Sequence, residues 1–188
     1  GDIIPAPVKY VTSGEGYSLK KDGSDIRVHL ADRRFSKEIK GLNIPEFARD
    51  EAYRLTVGKK GIDIFALTET GVYRARTSLG MMLDRDSTLS HCEILDYPRF
   101  RHRGLMLDIS RNFRDKDFIL KQLDAMAAVK MSTLHLHLTD DAGWRIQIDA
   151  YPELTRKAAW RVGKTYEEWV AGGKEYSLEG APFASGGD

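Results

Sequence analysis

The chain has 188 residues, and 29 Lys and Arg residues against 28 Asp and Glu residues give it a formal net charge of +1. This near-neutral balance argues against a dedicated nucleic-acid-binding protein, which normally carries a clustered basic excess. The longest apolar runs fall well short of the roughly 20 residues that a bilayer span needs. We therefore expect a folded protein of one large or two small domains, with no nucleic-acid partner and no membrane span.

The single cysteine, Cys92, excludes an intrachain disulfide framework and a cysteine-based zinc site. The start of the chain, Gly1-Asp2-Ile3-Ile4-Pro5, has neither the basic residues nor the long apolar stretch of a signal peptide. It has the character of a trimmed, mature terminus. Export of the protein therefore stays open.

The first hundred residues are predicted to form short strands separated by glycine-rich turns. The strand candidates are Val8–Val11, Ser18–Lys20, Ile26–Leu30, Tyr53–Val57 and Ile62–Ala66. Apolar residues then recur with helical spacing from Gly71 to Leu83, which predicts a helix. Strands followed by a helix indicate a small α+β domain over residues 1–98.

The pattern changes after Asp96-Tyr97-Pro98-Arg99-Phe100, because a proline restricts the residue before it to extended backbone. Gly104–Ile109 and Thr133–Leu138 are compact apolar strands, and Asp115–Val129 between them is a helix. A strand, a helix and a strand with short links predict a βαβ unit. Such a unit has parallel strands and a right-handed crossover.

Two further expectations concern the predicted helix and the residues that follow it. Asp115 or Asp117 is expected to be the N-cap. The expected buried face is Phe118, Ile119, Leu123, Met126 and Ala127. After Trp160 the chain is rich in glycine and charge, which predicts a long loop that includes Gly180 and Ser185–Asp188.

Residues 99–188 are too few for a complete barrel. A closed eight-stranded (β/α) barrel needs about 250 residues, and two parallel strands cannot form a domain alone. The expected fold is therefore an α+β N-terminal domain followed by the start of an α/β domain. We expect the chain to be a fragment.

Two histidines alternate on the second strand of the βαβ unit. His135 and His137 point to the same face, and two imidazoles on one face can bind zinc. A metal-dependent amidohydrolase barrel that uses both as ligands is therefore one hypothesis. In the other interpretation each histidine hydrogen-bonds to neighbours inside a barrel.

Acidic and basic side chains follow the two strands. Asp140 and Asp141 come just after the second strand, where the loops of parallel α/β folds form active sites. Two acids at this place are costly without a polar role, so we expect at least one to be functional.

Arg111 follows the first strand and should face the same cleft. Its planar fork can donate to two vicinal hydroxyls of a sugar, unless it forms a surface salt bridge to Asp108 or Asp115.

Several motifs occur together in one order along the chain. In the second half they are Arg103–Arg111, Leu123–Ala127, Lys130–Met131, His135–Arg145 and Tyr151–Thr155, and in the first half Ile3–Pro7 and Gly71–Leu79. This set closely resembles the family 20 glycoside hydrolases, which are β-N-acetylhexosaminidases. The resemblance continues to about Arg161, and the first-half motifs resemble the small α+β domain that precedes the barrel in this family.

The resemblance implies a TIM barrel that removes terminal β-linked N-acetylglucosamine or N-acetylgalactosamine from a glycan or glycoconjugate with retention. The substrate's own 2-acetamido oxygen attacks the anomeric carbon and gives an oxazolinium intermediate. A Glu acts as general acid and base, and a neighbouring Asp orients the acetamido group. The resemblance implies no cofactor and no metal. Together with the mature-looking start of the chain, it also leads us to expect an exported enzyme that is periplasmic or held at the cell surface.

The resemblance also assigns roles to four residues of this chain. Arg111 matches the arginine that holds the 3- and 4-hydroxyls of the sugar. Asp140 matches the first Asp after the second strand, which belongs to an Asp–His–Glu network that tunes the acid's protonation. His137 and Asp141 match motif positions with less defined roles.

The chain departs from the family pattern at the catalytic pair. In the family, an Asp-Glu pair follows a His-x-Gly-Gly motif on a later strand. Arg49-Asp50-Glu51 lacks the glycines, and no Glu follows Gly186-Gly187-Asp188. We therefore predict that the 188-residue chain is inactive alone and is completed by a C-terminal part of the same protein. A non-catalytic carbohydrate-binding module, in which the α+β domain binds the ligand, is a third hypothesis.

Overall fold

The computed structural model describes residues 3–83, 88–163 and 165–175, and these form two compact units. The first unit contains the described residues up to His102 together with Ala128–Lys130, and the second contains the rest. Gly180 and Ser185–Asp188, which belong to the predicted glycine-rich loop, lie outside the described residues. Within the described ranges, no helix is long and apolar enough to cross a membrane.

The first unit is built on a five-stranded sheet. Its strands are β1 (Lys9–Ser18), β2 (Ile26–Leu30), β3 (Tyr53–Gly58), β4 (Gly61–Ala66) and β5 (Thr88–Asp96). Their spatial order is β1-β5-β3-β4-β2. Strands β2 and β4 pair in parallel, whereas the other three pairings are antiparallel.

Both faces of this sheet carry helices. Tyr53, Leu55 and Val57 alternate on β3 and are buried in a cluster that includes apolar residues of α3 (Glu69–Met82). Leu95 of β5 belongs to a second buried cluster with residues of α1 (Arg33–Gly41) and α2 (Glu46–Arg49). The first unit is thus a sheet with a separate apolar core against each helical layer.

A polar network is buried in the first unit. The Lys130 ammonium lies 2.8 Å from Asp96 Oδ2 and donates to the Tyr53 hydroxyl at 2.9 Å. That hydroxyl lies 2.5 Å from Ser78 Oγ and donates to Asp96 at 3.2 Å. Burial, together with the charge of Asp96, raises the pKa of Tyr53, so its hydroxyl stays protonated.

The second unit begins with a βαβ arrangement. Its elements are β6 (Gly104–Asp108), α4 (Lys116–Ala128) and β7 (Thr133–His137), and the two strands pair in parallel. Two further short strands form an antiparallel pair, and two short helices follow: β8 (Thr139–Asp140), β9 (Gly143–Trp144), α5 (Glu153–Arg156) and α6 (Tyr166–Ala171).

The sequence-based predictions of β2, β3, β4, α3, β6, α4 and β7 are confirmed to within two residues at each end. Asp115 is the capping residue of α4, because its carboxylate accepts from the Phe118 N–H at 2.8 Å. The predicted buried face of α4 is wrong in part. Met126 is buried, but the side chain of Leu123 is 41% exposed.

Other parts of the first unit depart from the sequence-based predictions. Val8–Val11 and Ser18–Lys20 are not separate strands, because β1 pairs with β5 on both sides of a register shift between Thr12 and Gly16. Helix α1, helix α2 and strand β5 were not expected. Helix α1 is mostly polar and buries just Phe35 and Ile39, so its apolar signal is weak.

The stretch after Trp160 is not a continuous loop. It contains α6, which begins with a capping box in which Thr165 and Glu168 each satisfy a backbone N–H of the other.

We predict that Asp96→Ala lowers the free energy of unfolding by about 3–5 kcal/mol, since it leaves the Lys130 ammonium buried without its carboxylate. The measurement is urea unfolding of the chain, followed by circular dichroism. Glu93→Ala is the control on the same strand, because Glu93 pairs with Lys9 at an exposed position and should contribute at most about 1 kcal/mol. Equal effects of the two substitutions would contradict the prediction.

Candidate functional site

The candidate site lies where β6 and β7 end. The last residues of the two strands, Asp108 and His137, are register partners, so the carboxyl ends of the strands lie side by side. The pairing extends beyond the strands, since the N–H groups of Ile109 and Ser110 both donate to the His137 carbonyl at 3.2 Å. The loop after β6 therefore starts in contact with the end of β7.

Arg111 bridges the two strand ends. Its Nη1 lies 2.5 Å from Asp108 Oδ2 and its Nη2 lies 2.7 Å from Asp140 Oδ2. The backbone N–H of Arg111 also donates to Asp108 Oδ1 at 3.0 Å. The structure thus brings Arg111 and Asp140 together, and it also contains the Asp108 salt bridge that the sequence offered as an alternative.

His137 lies between the same two carboxylates. Its Nε2 is 3.0 Å from Asp140 Oδ2, and its Nδ1 is 3.9 Å from Asp108 Oδ2. Arg111, Asp108, Asp140 and His137 therefore form one cluster, which we call the strand-end cluster. Between 23% and 38% of each side chain is exposed, so the cluster is open to a ligand.

The other two polar candidates lie outside the strand-end cluster. Asp141 is exposed, its carboxylate is 3.1 Å from Lys174 Nζ, and its N–H donates to Asp140 Oδ1 at 2.7 Å. His135 is exposed on β7. In the described part of the chain, no group of three or more His, Cys, Asp or Glu side chains is arranged to hold a metal ion.

Charge within the cluster shifts the pKa values of its members. Partial burial would raise the pKa of Asp108, but hydrogen bonds from the backbone and the guanidinium of Arg111 outweigh it and lower the pKa. The N–H of Asp141, supported by Arg111 and His137, lowers the pKa of Asp140. The pKa of Arg111 is raised, first by its hydrogen bond to Asp108. Both carboxyls are therefore ionised at neutral pH.

Sequence reasoning did not single out two of the residues around Arg111. Asp108 was considered as a salt-bridge partner and not as part of a site, although its position three residues before Arg111 at a strand end is a usable signal. The Tyr166 ring centroid lies 5.7 Å from the Arg111 guanidinium carbon. Tyr166 lies in the stretch that was predicted to be a loop.

A cavity of about 420 Å³ opens beside the cluster, lined by Asp140, Asp141, Trp144, Lys157 and Ala158. The Trp144 ring nitrogen donates to the Ile146 carbonyl at 2.7 Å, which fixes the ring at the cavity wall. An aromatic wall beside two carboxylates and an ammonium can hold a polar ring such as a sugar.

A buried arginine, Arg145, donates hydrogen bonds to the backbone of the loop that follows β6. Arg145 Nε donates to the Ile109 carbonyl and its Nη2 to the Ser110 carbonyl, both at 3.1 Å. Burial, with repulsion from Arg161, lowers the pKa of Arg145 to about 10. Gly143 packs against this guanidinium: a Cβ atom there would lie 2.6 Å from Arg145 Nη2.

Comparison with known proteins identifies the family. The model of the glycosyl hydrolase family 20 catalytic domain matches residues 100–180, and that of domain 2 of the same family matches residues 25–97. The chain therefore belongs to glycosyl hydrolase family 20. It contains an N-terminal domain and part of the TIM-barrel catalytic domain.

The chain is similar to bacterial enzymes of this family. It is 45% identical to N,N'-diacetylchitobiase of Vibrio harveyi over 125 residues, and 44% identical to β-hexosaminidase B of Pseudoalteromonas piscicida over 110 residues. These matches cover 65% and 58% of this chain, but 14% of each relative. The chain thus spans a small part of the curated relatives that it matches.

Solved structures give the same family. The crystal structure of an exo-β-N-acetylglucosaminidase from Vibrio harveyi in complex with N-acetylglucosamine matches with a TM-score of 0.69 and 28% identity. The match covers 86% of this chain and 29% of that chain. Family membership favours the glycosidase hypothesis over the metal-dependent amidohydrolase.

We predict that Arg111→Gln raises the pKa of Asp108, because partial burial is then opposed mainly by the backbone N–H of residue 111. Carboxyl titration by NMR measures this change. Asp63 is the internal control, because its low pKa depends first on Arg27 and should not change.

The same variant should change how acid affects stability. A carboxyl whose pKa is lowered on folding stabilises the fold above its unfolded pKa of about 3.9. This contribution is lost as the pH falls through the lower folded pKa. Arg111→Gln should therefore lose less stability than the unsubstituted chain in that acidic range. An unchanged Asp108 pKa would contradict the assignment.

We predict that Gly143→Ala destabilises the chain by about 1–3 kcal/mol, because the added methyl group overlaps the buried Arg145 guanidinium. Gly80→Ala is the matched control. Gly80 lies in α3, and a Cβ atom there has no neighbour within 4 Å among the described residues. It should stabilise the helix by about 0.5–1 kcal/mol. Urea unfolding measures the change in the free energy of unfolding for each variant. A change of the same sign in both variants would refute the packing argument.

Proposed function

We propose that the full-length protein carrying this chain is a β-N-acetylhexosaminidase that removes terminal β-linked N-acetylglucosamine or N-acetylgalactosamine from glycans. The observation that carries the proposal is the strand-end cluster, in which one guanidinium is held by two carboxylates at the carboxyl ends of paired parallel strands. In barrel enzymes this end of the strands forms the active site. The names of the family relatives point to the same reaction.

Arg111 is proposed to bind the 3- and 4-hydroxyls of the terminal sugar. Asp108 accepts a hydrogen bond from Nη1, and Asp140 forms an ion pair with Nη2, so the two carboxylates fix the plane of the guanidinium. A guanidinium has five N–H donors, so hydrogens remain for the two hydroxyls. Two hydroxyls on adjacent carbons match the spacing of this fork.

Asp140 is proposed to support the proton-transferring residue and not to transfer a proton itself. It is ionised, and it is held by Arg111, His137 and the N–H of Asp141. A carboxylate held in this way can fix the orientation and charge state of a neighbouring imidazole. This role fits the Asp–His–Glu network that the family resemblance implies, and the His of that network is proposed to lie outside these 188 residues.

The proposed reaction follows the substrate-assisted route. The oxygen of the substrate's 2-acetamido group bonds to the anomeric carbon while a Glu protonates the departing glycosidic oxygen. Water then opens the oxazolinium intermediate, gives up a proton to that Glu and restores the acetamido group with retention. The Glu and the Asp that orients the acetamido group are proposed to lie in a C-terminal part of the protein, so the 188-residue chain alone should be inactive.

The division of labour between the domains is also a proposal. A boundary near Pro98 is supported by the two family-model matches, which end at residue 97 and begin at residue 100. The second domain supplies the sugar-binding arginine. The site therefore belongs to the catalytic domain, whereas a carbohydrate-binding module would act through the first domain.

We predict that Arg111→Ala in the full-length protein lowers kcat/KM for a chromogenic β-N-acetylglucosaminide by about 10²–10⁴-fold. This corresponds to two hydrogen bonds to a charged group at about 1.5–3 kcal/mol each. Arg114→Ala is the control, because Arg114 is exposed and packs over Phe118. It should leave kcat/KM unchanged.

The 188-residue chain, tested beside the full-length protein, should show no turnover. Turnover by the short chain would mean that its catalytic carboxylates are among its own residues. No turnover by either protein, with binding of N-acetylglucosamine to the short chain, would favour the carbohydrate-binding hypothesis.

A further inference from the structure

The loop that carries Arg111 is held by its backbone carbonyls. Three consecutive carbonyls, those of Ile109, Ser110 and Arg111, accept hydrogen bonds from two buried guanidiniums. Arg145 donates to the first two, and Arg161 to the last two. Because a loop has no ladder partners, its conformation depends on such donors.

Arg161 links this loop to the hairpin that carries Asp140. Its Nη2 donates to the Arg111 carbonyl, and its Nη1 donates to the Ala142 carbonyl at 3.1 Å and to the Ser110 carbonyl at 3.5 Å. Residue 142 lies in the turn between β8 and β9, two residues after Asp140. One side chain thus holds the backbones of the two segments whose side chains meet in the Arg111–Asp140 salt bridge.

The surroundings of Arg161 are unusual for a cation. Its side chain is fully buried, and its hydrogen-bond partners in the described part of the chain are all backbone carbonyls. Its Nε has no hydrogen-bond partner there. The Trp169 ring, itself buried, lies 5.6 Å from its guanidinium carbon. The charges of Glu167, Asp108 and Asp141 favour the charged form of Arg161, but burial outweighs them. A buried cation with no carboxylate among its hydrogen-bond partners destabilises a fold, so packing alone does not account for this residue.

The geometry needs an arginine at this position. The two terminal nitrogens of a guanidinium lie in one plane and can serve carbonyls on two separate segments at once. A lysine presents a single ammonium on a flexible stem and cannot reproduce this fork. Burial itself lowers the pKa of Arg161, which reflects the cost of keeping the charge there.

We infer that Arg161 is a positioning residue for sugar binding, which sets the position of Arg111 relative to Asp140 through their backbones. The inference rests on the proposed function of Arg111. A displacement of about 1 Å in a substrate-holding group can cost about 10²-fold in rate. Arg161 does not touch the sugar, so its effect should exist only while Arg111 is present.

The test is a double-mutant cycle in the full-length protein with a chromogenic β-N-acetylglucosaminide. We expect Arg161→Lys to lower kcat/KM by about 10–100-fold in the unsubstituted background and by less than about 3-fold in the Arg111→Ala background. Thermal unfolding is recorded for each protein. Arg156→Lys, at an exposed position on α5 in contact with Glu153, is the control and should leave kcat/KM unchanged.

Each other outcome has a definite meaning. Equal losses in both backgrounds, or no loss from Arg161→Lys, would overturn the inference while leaving the proposed function intact. If Arg161→Lys does not unfold cooperatively, Arg161→Gln is measured in the same cycle, and failure of both to fold assigns Arg161 a purely structural role. If the unsubstituted full-length protein shows no turnover, the proposed function fails and the inference fails with it.

Discussion

The parallel pairing of β6 with β7 is the constraint on which the candidate site depends. Its register places Asp108 opposite His137, so the loop after one strand begins beside the end of the other. Arg111 then reaches carboxylates from both segments with a single side chain. A shift of one residue in this register would turn the side chains of one strand to the opposite face and separate the cluster.

The site combines an exposed layer of charge with a buried layer of backbone support. The strand-end cluster has partly exposed side chains and ionised carboxyls, which suits a polar ligand that exchanges with water. In the buried layer, Arg145 donates to carbonyls of the loop after β6. Arg161 donates to carbonyls of that loop and of the β8–β9 hairpin. Two guanidiniums in one buried region repel each other, which lowers the stability of the fold. The same guanidiniums fix the backbone segments that carry Arg111 and Asp140.

The sequence predicted the strands and helices whose apolar residues recur at regular spacing, and the polar residues that follow those strands. Arg111 and Asp140 were accessible to prediction because each comes directly after a compact apolar strand. Helix α1 was missed because just two of its side chains are buried, and β1 was misjudged because its pairing continues across an irregularity. The role of Arg161 was hidden for a different reason. Its partners are backbone carbonyls, which every residue type provides, so no residue pattern records the contact.

The register shift in β1 has a consequence for how the first unit behaves at high concentration. Strand β1 lies at the edge of the five-stranded sheet. Tyr10 and Val11 are exposed near its start, and so is Val8 just before it. A long, flat, apolar edge is a template on which another chain can add a strand and begin to aggregate. The shift between Thr12 and Gly16, with Gly14 at a φ of +78°, interrupts that template. We therefore expect the same irregularity that obscured β1 in the sequence to hinder strand addition by neighbouring molecules at this edge.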